Sequence, residues 1–113
     1  MHEMALAESV LQIVEATAKA NDARAVRRVR LQIGALAQVD TEALRFSFDV
    51  VRRGTIAENA VLDVTATPGG AWCMPCGRSV ELARLGDVCP LCGSFQLQAT
   101  SGEEMRVADI EIN

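Results

Sequence analysis

Residues 72–93 read "WCMPCGRSVELARLGDVCPLCG", and this stretch holds all four cysteines of the 113-residue chain. Cys73 and Cys76 are separated by two residues, as are Cys89 and Cys92, with twelve residues between the pairs. Each CxxC turn runs into a glycine, Gly77 and Gly93, which can take the tight backbone that lets amide protons face sulfur. Pro75 and Pro90 stiffen the turns. Two such knuckles complete a tetrahedron of thiolates, the donor set and spacing of a four-cysteine zinc ribbon. A dithiol redox pair would explain neither the second CxxC nor the matched spacing. Iron in the same four-thiolate site is the competing metal. Four thiolates leave no open coordination position, so the zinc, one ion per chain, is expected to be structural rather than catalytic. An insert of about thirty residues has too little core to fold without its metal.

The charge around the insert argues against nucleic acid. Between Ala71 and Thr100, Arg78 and Arg84 balance Glu81 and Asp87, and a zinc held by four thiolates adds about −2. The whole chain carries 11 basic against 15 acidic residues, a net charge of −4, which opposes attraction to phosphate backbones. Only 4% of residues are aromatic, too few for base-stacking platforms. Arg24, Arg27, Arg28, Arg30, Arg45, Arg52 and Arg53 lie outside the insert and read as a solvated face, with docking to an acidic protein the next reading. Half the residues are hydrophobic, so the chain can bury a core and is not disordered, while its length suits one small domain carrying a stapled insert rather than a large enzyme. There is neither an apolar run of the ~18 residues a membrane span needs nor a signal-peptide pattern. A reducing cytoplasm and no membrane are therefore expected.

Outward from the insert, the periodicities define an α+β fold. Leu6, Val10, Ile13, Val14 and Thr17 recur at helical spacing, predicting a first helix over about 3–20. Val29, Leu31 and Ile33 alternate with Arg28, Arg30 and Gln32, predicting a strand with one wet face over about 25–36. Asp40 suits the N-cap of "TEALRFSFDVVRRG", and Gly54 its stop. "AVLDVTAT" alternates again, "PGG" closes it, and "EMRVADIEI" ends the chain as a strand whose apolar phase slips between Val107 and Ile110. The order implies a small three-stranded sheet with two helices on one face, interrupted by the inserted four-cysteine zinc ribbon. Residues 1–69 and 100–113 form the core and 70–99 the zinc-binding domain. "TPGGAW" and "QATSGEE" join them, and the paired glycines of the first read as a hinge.

The N-terminus adds a second metal signal. The chain opens "MHE", and His2 is its only histidine. Initiator methionine is normally removed only when residue two is small, so Met1 is expected to stay and to carry the α-amine. The amine, the His2 amide and the His2 imidazole can then close fused chelate rings in one plane, with the Glu3 amide or another donor completing a square. Such nitrogen ligation suits Ni(II) or Cu(II) rather than a tetrahedral zinc. A lone exposed terminal histidine is otherwise a spectator.

Taken together, "MHE" opening an amphipathic helix, "VRLQIGALAQVD", "CMPCG" and "CPLCGS" at ribbon spacing, and the closing "SGEEMRVADIEI" resemble the HypA/HybF nickel metallochaperones almost end to end. The resemblance implies a transient nickel site at Met1, His2 and Glu3, a separate structural zinc domain, and delivery of nickel to a [NiFe]-hydrogenase large-subunit precursor. It also implies a GTP-binding accessory protein, HypB, as partner. Met1 would give its amine, His2 its imidazole and amide, and Glu3 its amide, the Glu3 carboxylate orienting or docking. Some relatives add a histidine from the zinc domain. This chain has none there, so the fourth ligand falls to backbone or water. Glu81, Glu103 and Glu104 read as solvated charges. An enzyme is not expected, because the one histidine has no nucleophile partner and the cysteines are committed to metal. The alternative is a zinc-ribbon regulator or adaptor that binds nucleic acid or a protein. The sequence leaves a homodimer open.

Overall fold

The computed structural model describes residues 2–113. Eight elements follow in order: helix α1 (Glu3–Ala20), strand β1 (Val26–Gly34), helix α2 (Thr41–Val51), and strands β2 (Val61–Thr67), β3 (Gly69–Cys73), β4 (Arg78–Leu82), β5 (Leu97–Ser101) and β6 (Met105–Ile112). They build two three-stranded sheets, ordered β2-β1-β6 and β4-β3-β5. The α+β architecture with two helices and a four-cysteine ribbon is the one the periodicities imply. Among the described residues no helix is long and apolar enough to cross a membrane.

The chain forms two compact units. The first comprises the chain up to Leu31 with Val39–Thr65 and Arg106–Asn113, and the second comprises Gln32–Gln38 with Ala66–Met105. In the first unit α1 packs against α2, and Val10, Val14, Leu44, Phe48, Val29 and Leu31 are buried. The buried stripe of α1 runs through Glu3, Ala7, Val10, Leu11, Val14 and Ala18. Ile13 and Thr17, expected on it, are exposed. The stripe is turned toward the alanines, Ala7 and Ala18, and Thr17 Oγ1 instead donates back to the Ile13 carbonyl. Asp40 caps α2 by accepting from the Ala43 amide at 3.1 Å. Arg52 is the C-cap, and Gly54 follows at φ +74°.

The wet face of the β2-β1-β6 sheet is a charge ladder. Arg28 pairs with Asp63 at 2.6 Å and lies 3.6 Å from Glu111. Arg30 pairs with Asp109 at 2.6 Å and also with Glu111. Each exposed pair contributes little alone, but opposite charges facing each other across three strands fix the register and keep this face in water. Along β6 the less exposed positions are Met105, Val107 and Ile110, so the alternation slips by one residue where the sequence pattern does. Asn113 then extends the pairing, its amide donating to Ala25 O and its carbonyl accepting from the Arg24 amide, both at 2.9 Å.

The second unit departs from the linker reading of "TPGGAW". Gly69 and Gly70 lie inside β3, paired with Leu82 and Glu81 of β4, and are not a free hinge. The reason is a close crossing of backbones that only glycine permits. A Cβ at Gly34 would collide with the Gly102 carbonyl, and one at Gly102, which sits at φ +81°, would lie 2.5 Å from Pro68 O. Bonds from Leu36 N to Gly102 O and from Gly34 N to Glu104 O, both 2.8 Å, hold the crossing. Gly34→Ala is therefore expected to cost about 1–3 kcal/mol through overpacking. Denaturant titration would register it as a lower midpoint with an unchanged slope.

Candidate metal centre and N-terminal site

The ribbon sheet brings the four cysteines together. Cys73 ends β3, Cys76 and Gly77 make the turn into β4, and residues 89–93 form the matching turn before β5. The two turns share one geometry. The Gly77 amide donates to Cys73 O and the Gly93 amide to Cys89 O, both at 2.8 Å, and both glycines have positive φ, +61° and +76°. All four Sγ atoms lie within 4.8 Å of one another. Cys73 to Cys92 is 3.6 Å and Cys76 to Cys89 is 4.0 Å. A disulfide would need about 2.05 Å, whereas a tetrahedral ion with metal–sulfur bonds of about 2.3 Å sets its sulfurs about 3.8 Å apart. The cluster fits the second case, and the donor set is that of one closed, structural metal site.

Burial and hydrogen bonding support that use. Cys73 and Cys89 are buried in a small cluster with Leu36, Ala71, Val80 and Leu82, against which Cys76, Leu97 and Ala99 pack. Leu36 comes from beyond the insert, in the turn after β1, a contribution that no local pattern announces. The Leu91 amide points at Cys89 Sγ from 3.4 Å. The Cys76 thiol is pushed up to about 12, first by the neighbouring Cys92 and Cys73 thiols and then by burial. Cys73 is also raised: burial and the Cys92 thiol outweigh the Cys76 backbone, which pulls the other way. Burial opposes ionisation of Cys89, but the amides of Cys92 and Leu91 bring it down to about 7. Four negative sulfurs at this spacing need a cation among them. Metal uptake by the metal-free protein at neutral pH is thus expected to release at least the protons of Cys73 and Cys76, and affinity should fall as pH falls. Titration calorimetry in buffers of different ionisation enthalpy would count those protons.

At the other end, Met1 lies outside the described residues, so its amine has no place in this geometry. His2 is the N-cap residue of α1. Its imidazole makes no capping hydrogen bond, it is exposed, and its carbonyl accepts from the Leu6 amide at 3.0 Å. Glu3 is buried at 4% exposure. Its Oε2 accepts from the Asp40 amide at 3.3 Å, and its Oε1 is buried with no hydrogen-bond partner among the described residues. The first turn of α1 is thereby tied to the N-cap of α2, and His2 sits one residue before a fixed carboxylate. The Glu3–Asp40 link spans 37 positions. The only cue to it in the sequence is an acid placed where the helix stripe expects an apolar residue. Glu81, Glu103 and Glu104 are exposed and belong to neither cluster.

Known proteins resemble this chain over its full length. The family model described as "Hydrogenase/urease nickel incorporation, metallochaperone, hypA" matches residues 1–112. Hydrogenase maturation factor HypA of Acidithiobacillus ferrooxidans is 49% identical over 112 residues, covering 99% of each chain. That of Dechloromonas aromatica is 51% identical over 112 residues, again covering 99% of each. HypA 1 of Bradyrhizobium diazoefficiens is 50% identical over 113 residues, the whole of both chains. The solution structure of the nickel metallochaperone HypA from Helicobacter pylori is similar with a TM-score of 0.71 at 28% identity, over 99% of this chain and 97% of that one.

Proposed function

The chain belongs to the HypA family of nickel metallochaperones that serve hydrogenase maturation, and from that premise we propose that it collects Ni(II) at its own N-terminus and passes it to the [NiFe]-hydrogenase large-subunit precursor in the cytoplasm. The nickel ligands are the Met1 amine and the His2 imidazole and amide, with the Glu3 amide or a water completing the square. Cys73, Cys76, Cys89 and Cys92 hold a resident structural Zn(II) in the ribbon, residues 70–99, while residues 1–69 and 100–113 carry the nickel. The protein acts without catalysis of its own, and the GTP-binding HypB is its partner in delivery.

One observation carries the nickel assignment. His2, the only imidazole of the chain, is exposed at the N-cap of α1 with no capping bond to give up, and the residue after it is anchored in the first unit through Asp40. An exposed, uncommitted imidazole on a fixed helix end can enter and leave a metal quickly, as cargo requires. The sulfur cluster is the opposite case, since its closed four-thiolate set suits an ion that stays. Equilibrium dialysis against Ni²⁺ tests the reading. His2→Ala should lose at least about tenfold in nickel affinity with its zinc content unchanged, because even an outer-shell partner of a metal is worth that much. Nickel uptake indifferent to His2 would contradict it.

A further inference from the structure

The flank of α2 beside its buried stripe carries Arg45, Asp49 and Arg52, spaced at i, i+4 and i+7. With the segment from Asn59 to Leu62, which leads into β2, these residues line a cavity of about 390 Å³. Both arginines are held in place by the backbone opposite. Arg45 Nη1 donates to Leu62 O at 2.7 Å, and Arg52 Nη1 donates to Ala60 O. The Arg52 guanidinium also lies over the Phe48 ring, 5.7 Å from its centroid.

The two cations differ in how their charge is met. Arg52 Nη2 is 2.8 Å from Asp49 Oδ1. Arg45 has no carboxylate within ion-pair range among the described residues, and one neutral carbonyl engages one of its five N–H donors. A fixed, half-buried guanidinium is left with an unmatched charge facing a cavity, in a chain whose net charge is −4. Ordering costs for such a group are already met by its bond to Leu62, so an incoming anion gains most of the interaction.

We propose that this cavity is a carboxylate-binding site, in which Arg45 receives an Asp or Glu side chain from an acidic, partly apolar segment of a partner protein. Charge complementarity fixes the sign of the ligand, and Asp49 limits its charge. With two arginines and one carboxylate lining the cavity, one negative charge completes the balance and a dianionic phosphate overshoots it. The surroundings fix the rest of the segment. Phe46 and Val50, neighbours of Arg45 and Asp49 on α2, are 69% and 37% exposed, and Val61 on the cavity wall is 49% exposed. Large apolar side chains left in water around a charged centre are the arrangement of a protein-binding surface. The site uses no residue of either metal cluster, and it stands independently of the nickel reading.

Amide and arginine side-chain NMR spectra of the full-length, zinc-loaded protein test this, with N-acetyl-Leu-Glu-Leu-amide as probe. At constant ionic strength the peptide should produce saturable shifts at the Arg45 Nε–H and at the amides from Asn59 to Leu62. The same peptide with Gln in place of Glu should bind at least about tenfold more weakly, as expected for loss of a charge-assisted fork. Arg45→Gln should lose as much, and Arg45→Lys should retain more than Arg45→Gln. Arg27→Gln, which removes an exposed arginine elsewhere, should change nothing. Equal binding of the Gln peptide, equal loss in Arg27→Gln, or inorganic phosphate binding more tightly than the Glu peptide would overturn the assignment. So would the absence of saturable shifts, which would leave the arginines as fasteners of β2 alone. The two peptides act on the unaltered protein, so the test stands even where Arg45→Gln loosens β2.

Discussion

Withdrawing the metal from the four-cysteine cluster is expected to unfold β3, β4 and β5 while leaving α1 and α2 helical. The asymmetry follows from what each unit buries. The helical unit has large side chains of its own in the core, Phe48, Leu44, Leu31 and Val29 among them. The ribbon's buried cluster consists of Leu36, Ala71, Val80 and Leu82 plus two of the metal ligands. Segments of this size rarely fold on apolar burial alone, and a structural zinc contributes on the order of 10 kcal/mol at neutral pH. Cys73→Ser and Cys89→Ser should be as damaging as chelation. Each removes a ligand and leaves a hydroxyl in a buried position. Hydrogen exchange should show amides between residues 70 and 101 losing protection by several orders of magnitude, with the far-UV helical signal retained. Full ribbon protection after chelation would mean that the metal is not what holds this unit together.

The second large effect is expected from a single residue placed before Met1. Such an extension moves the amine one peptide unit away and would break the proposed chelate ring joining it to the His2 amide. Loss of an outer-shell partner already costs a metal site about 10–100-fold, so losing a ligand and its ring should cost about a hundredfold or more in Ni²⁺ affinity. A C-terminal extension should cost nothing. Binding should also weaken on acidification, because an ammonium and an imidazolium must both give up protons to ligate. Nickel titrations of the two extended forms, with zinc measured in each, would separate a terminal chelate from weak surface carboxylates, which ignore the position of the extension.

The features legible in the sequence were those with local causes. The CxxC–Gly turns announce themselves because the metal, rather than a distant contact, dictates their spacing, and the structure closes them to sulfur distances of 3.6 and 4.0 Å. Asp40 capping α2 and Gly54 ending it are likewise local chemistry. What stayed hidden depends on partners far along the chain. The true stripe of α1 passes through Ala7 and Ala18 rather than Ile13 and Thr17, and which face is buried is set by the packing of α1 on α2, a contact between distant parts of the chain. Gly69 and Gly70 look like a hinge in isolation. They become strand only once Gly34 and Gly102 cross beside them. Leu36, outside the insert, completes the ribbon's buried cluster. The alternation of Val80 and Leu82 in β4 was a strand signal overshadowed by the cysteines on either side.

Glu3 shows how a residue can serve two purposes. Its amide is a proposed nickel donor, while its buried carboxylate bonds to the Asp40 amide and holds the start of α1 in place. Removing the carboxylate therefore disturbs the position of a ligand set without removing a nitrogen from it. Glu3→Gln keeps an acceptor for Asp40 and should bind nickel more tightly than Glu3→Ala, in which the helix end is released. Dialysis of the two variants side by side would read that difference.

In the proposed nickel site the free amine of Met1 acts together with His2. Nickel titration of the protein with its α-amine free and with the same amine acetylated tests this directly, since acetylation removes one lone pair and leaves every side chain in place. The expected result is loss of the high-affinity nickel site on acetylation, with one zinc per chain in both forms. Identical nickel affinities in the two forms would contradict it.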